Sequence, residues 1–420
     1  MMMLLKNAYL IDGNGGTPRT GQAVLIDDER IVAVGEPASM EVPHDAVQVD
    51  LGGKALLPGF IDCHVHILWN PDPRAKLPRA SNIPLRDKHY FKARSLLFGV
   101  QAARMTVEAG FTTIRDVAAP NDAIFALRDS LAAGEFIGPR LLATGACVTH
   151  IGGHGTEVDN DAAIVADGAH EVLKAVRRQI TAGADAIKIM GGTRPALSAP
   201  FCGRPGYTTD EMAPGVAEAH RAGLKVAVHA HSSLIGIKDS IRANVDSIEH
   251  GAPLDQEACD MMAERGTFLC PTLAVNPASI QSIEQGIWTF PGSEDQIYRM
   301  RDNSYRAIEL ARSTGVKIAL GTDAAMPLVY HGDNAWEFEL MVEHGLTPME
   351  SIIAGTRHAA ENIGLLDEIG TVESGKLADL VVVNGDPLAD IRHLRDQDRI
   401  HLVLKGGQIV KNSGIVTVSI

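Results

Sequence analysis

Eight short apolar runs recur through the middle of the chain, each followed by a longer stretch of helical period, and this alternation narrows the possible folds more than any other feature. The runs are residues 57–66, 112–117, 140–148, 186–190, 225–230, 246–250, 267–273 and 317–323. Segments such as GAHEVLKAVRRQITAG (168–183) and TTDEMAPGVAEAHRAG, where Thr208 and Glu211 stand at capping-box spacing, fill the gaps. Strand alternating with helix implies a parallel sheet, because a parallel pair needs a crossover long enough to hold a helix. The expected fold class is therefore α/β, a (β/α)8 TIM-like barrel with its chemistry at the C-terminal ends of the strands.

The two ends read differently. Residues 4–11, 22–34 and 47–56 alternate or run apolar between Gly and Asp turns, as do LADLVVVNGDP (377–387) and IHLVLKGGQIVKN (400–412). Such patterns predict short antiparallel strands. They are expected to join as a small discontinuous β-sandwich domain over 1–57 and 365–420, flanking a barrel over 58–364. The stretch TPMESIIAGTRHAAENIGL (347–365) reads as a helix packing the barrel against that domain. A chain of 420 residues accommodates a barrel plus such an accessory.

Charge and cysteine usage narrow the partners. Lys and Arg number 38 against 52 Asp and Glu, a formal charge of −14 with no long basic block, so no nucleic acid partner is expected. Cysteines 63, 147, 202, 259 and 270 form no C-x-x-C pair and read as reduced, mostly buried thiols. The start, MMMLLKNAYLIDGNGG, has no charged leader with a long apolar core, and no run of about 18 apolar residues occurs. The expectation is a cytoplasmic protein with no membrane partner.

Five of the runs carry, at or near their ends, six residues that burial alone would not choose. His64 and His66 end the first, Lys188 lies in the fourth, His229 in the fifth, His250 in the sixth and Asp323 in the eighth. On a strand, residues two apart share a face, so His64 and His66 aim two imidazoles at one point. Taken singly, a strand-end His is an ordinary hydrogen-bonded residue, Lys188 could snorkel and Asp323 could cap a helix. Taken together, at one face of one barrel, four imidazoles and a carboxylate suit divalent metal ions, zinc first, with manganese, cobalt or iron as alternatives. A lysine beside cations is expected to lose its proton. The neutral amine can then take up CO2 as a carbamate whose oxygens bridge two ions about 3.5–4 Å apart.

At this point the chain resembles a known family. FIDCHVH, the lysine in AIKIMGG, VHAH, IEHG, LGTDA and GKLADLVVVNGDPL together resemble the amidohydrolase superfamily, binuclear type with a carboxylated lysine, over almost the whole chain. GFTTIRD, THIGGH, HGDNAWEFELMVEHGLTPMESI and GTRHAAENIG resemble its prolidase-like branch, which hydrolyses Xaa-Pro and other dipeptides, N-acyl amino acids and, in relatives, ochratoxin-type amides of phenylalanine. The resemblance implies that His64, His66 and Asp323 bind one ion, His229 and His250 the other, and carboxylated Lys188 both. It also implies amide hydrolysis by a metal-bridging hydroxide, with Asp323 passing the proton to the leaving nitrogen. His154, His231 and His331 fall where the family contacts the carbonyl oxygen or the substrate carboxylate, although many relatives carry Tyr at the place of His231. A homo-oligomer acting on a dipeptide or other small molecule is expected.

Other residues read more plainly. His150 is expected to be structural or to support a site residue from behind, and Met190 and Cys63 to pack the barrel. Arg194 and Arg204 are candidates to pair with a substrate carboxylate, while Phe201, Tyr207 and Met326 favour an apolar or aromatic substrate side chain. Three further readings compete. A mononuclear deaminase or imidazolonepropionase-like enzyme needs no lysine on the fourth strand. A phosphotriesterase or lactonase could use the same metal pair. A metal-free scaffold would have lost ligands, whereas all six donors stand here.

Overall fold

The computed structural model describes residues 2–71, 85–156, 161–192, 204–287 and 294–414. The N-terminal segment forms β1 (Met2–Leu10), β2 (Arg19–Asp27), β3 (Arg30–Gly35), β4 (Val47–Asp50) and β5 (Ala55–Pro58). β1, β2 and β3 pair antiparallel as expected, with Asp28 at φ +49° in the tight turn between β2 and β3. β4 and β5 instead run parallel to β1. The connection after β3 is long enough to carry the chain back across the sheet before β4 begins, which a hairpin turn could not do.

The apolar runs then supply β6 (Phe60–Val65), β7 (Phe111–Asp116), β8 (Arg140–Ala143), β9 (Cys147–Thr149), β11 (Ala186–Met190), β12 (Lys225–Ala230), β13 (Ser247–His250) and β14 (Phe268–Cys270), while β10 (Ala163–Val165) is a short strand outside every expected run. All their pairings are parallel, in the orders β6-β7-β8 and β10-β9-β11-β12-β13-β14. Two runs depart from the expected single strands. The third breaks into β8 and β9 at Gly145, whose φ of +65° turns the chain while Asn121 Oδ1 accepts the Ala146 N–H at 2.7 Å. Asp185 N–H donates to Ala143 O at 2.9 Å and carries the wall across this break. The eighth run, 317–323, is extended without a regular ladder. It accepts from Leu269 N and Cys63 N through Lys317 O and Leu320 O, both at 2.9 Å, and so closes the barrel between β14 and β6.

Side-chain alternation sets the inside and the outside. Ile187, Ile189, Val226, Val228, Ile248 and Leu269 join the large apolar cluster under the helices. Lys188 and His229, between them in sequence, therefore face the barrel axis.

The C-terminal strands β15 (Leu380–Val383), β16 (Ile400–Lys405) and β17 (Gln408–Asn412) add to the N-terminal ones. The sheet order is β17-β16-β15-β5-β1-β2-β3, with β4 branching from β1, and Leu5, Leu10, Val24, Ile26, Val382 and Leu402 form its own core. The expected helix over 347–365 is two, Pro348–Ala354 and Arg357–Asn362. A capping box of Thr347 and Glu350 starts the first. At Gly355 the chain passes so close to Phe338 that a Cβ would lie 2.4 Å from its ring, and Thr356 leaves helical geometry there.

Candidate metal centre at the barrel mouth

The strand ends bring the candidate donors together. Nε2 of His66 lies 3.2 Å from Asp323 Oδ1, and Nε2 of His64 lies 3.6 Å from the same oxygen. Ring centroids are 5.0 Å apart for His64 and His250 and 4.6 Å for His229 and His250. Donor atoms of His64, His250 and Asp323 all fall within 4.8 Å of one another. Lys188 is 2 % exposed, and its Nζ has no hydrogen-bond partner among the described residues. Its charge would act on His64, His66, His229, His231 and His250 alike, which places the amine among the imidazoles.

Electrostatics favour a cation-binding state. Burial, reinforced by neighbouring positive groups, pushes His64 down to about 4 and holds His229 and His250 well below the ordinary imidazole value. Burial also lowers the Lys188 amine against the pull of Glu249. The three imidazoles are then neutral, with lone pairs free to coordinate, and the amine holds its proton less tightly than an ordinary lysine. Asp323 is the exception: against the effect of burial, His64 and His66 hold its carboxyl far below the usual range. His66 is raised because Asp323 outweighs its burial.

Strained backbone aims several of these groups. Alternation along β13 would send His250 to the helix side with Ile248, but its φ of +67° turns the ring over the mouth. Asp323 at +58° and Thr272 at +48° share the left-handed region, which costs about 1–3 kcal/mol per residue and persists only where the surroundings enforce it.

A layer beneath the donors orients them. Glu249 Oε2 lies 2.6 Å from His64 Nδ1, and its other oxygen accepts from Arg115 Nη2 at 3.1 Å. Arg115, fully buried, also donates through Nε to Cys63 O at 2.7 Å. His64 is thereby held with Nε2 toward the mouth, as a metal-binding imidazole requires. His250 Nδ1 pairs with Thr272 Oγ1 at 2.7 Å. Asp62 accepts from His64 N, Thr322 N, Thr322 Oγ1 and Asn334 Nδ2, at 3.1, 3.1, 2.6 and 2.7 Å. Sequence reasoning passed over Glu249, Arg115, Asp62 and Thr272. The signal was a charged residue inside the runs DSIEH, TTIRD and FIDCH, where only the flanking donors were weighed.

The remaining candidates divide. His154 stacks on His229 at 4.5 Å, and His231 stands 4.7 Å from His229 and 5.2 Å from His250, so both reach the mouth. His331 is buried beside Phe98 and close to His66. His150 bonds Ile151 O at 2.9 Å and packs edge-on to Tyr207. Tyr207 is buried too, its hydroxyl donating to Ala166 O at 2.5 Å, so it does not line the mouth. Met326 is half-buried, Arg204 is exposed, and Arg194 and Phe201 lie outside the described residues. Met190 packs with Ala118 and Cys147, and Cys63 with Ile61 and Cys270.

The whole chain is similar to known proteins. A model described as amidohydrolase family matches residues 55–410. An ochratoxinase of Aspergillus niger is 29 % identical over 443 aligned residues, covering 97 % of this chain and 86 % of that protein. An imidazolonepropionase of Rhizobium rhizogenes is 26 % identical over 448, covering 96 % and 97 %. The crystal structure of a Xaa-Pro dipeptidase with methionine bound in its active site superposes with a TM-score of 0.86 at 31 % identity, covering 97 % of this chain and 99 % of that one.

Proposed function

The chain belongs to the amidohydrolase family, hydrolases acting on carbon–nitrogen bonds, and on that premise we propose that it cleaves the amide bond of dipeptides or N-acyl amino acids, ochratoxin-type amides of phenylalanine included. The family generally uses divalent metals. One observation carries the two-metal reading: a buried lysine amine with no hydrogen-bond partner among the described residues stands among neutral imidazoles. An idle amine at such a depth is costly. Conversion to a carbamate would give it two anionic oxygens matched to the surrounding donor set. In this reading His64, His66 and Asp323 hold one zinc ion, His229 and His250 a second, and carboxylated Lys188 both.

Bound there, the ions would acidify water and polarise the amide carbonyl. The chain does the rest. Asp323, ionised and beside both His64 and His66, takes the proton of the attacking water and returns it to the nitrogen, which leaves as an amine. His154 and His231, at the mouth, contact the carbonyl oxygen or the carboxylate of the substrate. His331 lies deeper, beside His66. The outer β domain (1–57 and 365–420), the barrel (58–364), a homo-oligomeric assembly and a cytoplasmic location complete the proposal. Among the described residues no helix is long and apolar enough to cross a membrane.

The imidazolonepropionase likeness supports a second reading, hydrolysis of a cyclic amide at a single ion. Lys188 distinguishes the two, because a one-ion centre has no use for it. The test combines metal analysis with a hydrolysis screen. About two divalent ions per chain and release of free amino acid from N-acyl amino acids or dipeptides are expected. Lys188→Ala should lose one ion and turnover. Unchanged turnover in that variant removes the two-metal mechanism, and ring opening without amino-acid release gives the second reading precedence.

A further inference from the structure

The segment HGDNAWE, residues 331–337, follows the eighth strand and contributes no donor to the proposed metal pair. Its polar side chains are nevertheless buried: Asn334 is 1 % and Glu337 0 % exposed. They bond to different supports of the centre. Asn334 Nδ2 donates at 2.7 Å to Asp62, the carboxylate that also holds the His64 N–H and Thr322. Glu337 accepts the N–H of Leu273 at 2.6 Å and of Ala274 at 2.9 Å.

Those two amides immediately follow Thr272, whose backbone is left-handed and whose Oγ1 meets His250 Nδ1 at 2.7 Å. The helix Val275–Glu284 begins there with no side-chain cap of its own, so Glu337, from another helix, fills the place of a cap. Glu337 offers both of its carboxyl oxygens to two adjacent backbone donors, which an amide side chain, with one oxygen, cannot do.

We propose that Glu337 is a positioning residue for the His229/His250 half of the centre, acting through the Leu273 and Ala274 amides on the Thr272 turn that fixes the His250 ring. Asn334 does the same for the His64/Asp323 half through Asp62, so that one seven-residue clasp sets the spacing of the two half-sites. The proposal rests on the two-metal reading above but concerns residues that touch neither ion nor substrate.

The test is Glu337→Gln in the full chain. Gln keeps the volume but replaces one acceptor oxygen with a donor that faces an N–H. Zn2+ is titrated into chelator-stripped protein, with the ion count read by mass spectrometry and the thermal midpoint followed in parallel. Glu337→Gln is expected to weaken the second ion about tenfold or more while the first binds as in wild type, the size typical for a lost outer partner of a metal ligand. With N-acyl amino acid as substrate, kcat should fall and KM change little. Thr272→Val should reproduce the defect, Thr272→Ser should restore it, and the double variant Glu337→Gln/Thr272→Val should be no worse than either alone.

Two ions bound as in wild type by both Glu337→Gln and Thr272→Val overturns the clasp, as does additive loss in the double variant. A wild-type chain that binds only one ion defeats instead the two-metal reading. Thr272→Val keeps the relay testable if Glu337→Gln fails to fold.

Discussion

Two imidazoles at the mouth are aimed by what their other nitrogen or their backbone does. His64 is tied by Glu249, His250 by Thr272 and by a left-handed φ. The same burial makes the centre pH-sensitive when no metal is bound. Burial and neighbouring cationic groups push His64 to about 4 and His231 to about 3, burial takes His331 to about 4, and His229 and His250 lie well below the ordinary value. A depressed imidazole binds fewer protons folded than unfolded, so its stabilisation is present above about 6.5 and is lost as pH falls through its folded value. Burial raises Asp62 and Asp116 to about 6 and Glu337 to about 8, and these act in the opposite sense. Five imidazoles outnumber three carboxyls between about pH 4.5 and 6.5. The thermal midpoint of chelator-stripped protein should therefore fall as pH is lowered through that window; a flat or rising midpoint contradicts the assignment of neutral imidazoles.

At the scale of elements, the strands were legible and their interruptions were not. Most barrel runs are blocks of β-branched and aliphatic residues, so their existence follows from pattern. The break at Gly145 depends on Asn121, a residue 24 positions earlier that captures the Ala146 N–H, and no local pattern displays it. The split of 347–365 likewise depends on Phe338 pressing against Gly355. Gly355→Ala tests this directly. With φ at −92° the backbone accepts alanine, so the cost is overpacking alone, about 1–3 kcal/mol, read as a lowered denaturation midpoint. No change in the midpoint shows that Phe338 gives way freely. The six mouth donors were readable as polar residues at the ends of apolar strands. Glu249 and Arg115 were not, because a single sequence does not say which strand lies across the barrel from which.

At the scale of the molecule, the two sheets meet around Asp379. Its carboxylate accepts from Arg140 at the start of β8 and from Gly406 N, both at 2.7 Å, while its carbonyl accepts from Gly59 N just before β6. The outer sheet is thus anchored at the N-terminal ends of the barrel strands, opposite the mouth, which leaves the C-terminal ends free for chemistry. Everything proposed for that mouth depends on Lys188 becoming an anion that holds two ions. The most direct measurement is 13C NMR of protein loaded with zinc in 13C-bicarbonate, read beside the metal count. The account predicts a carbamate resonance and about two ions per chain in wild type, with the resonance absent and at most one ion bound in Lys188→Ala. A wild-type chain with no carbamate signal and the same metal content and turnover as Lys188→Ala contradicts it.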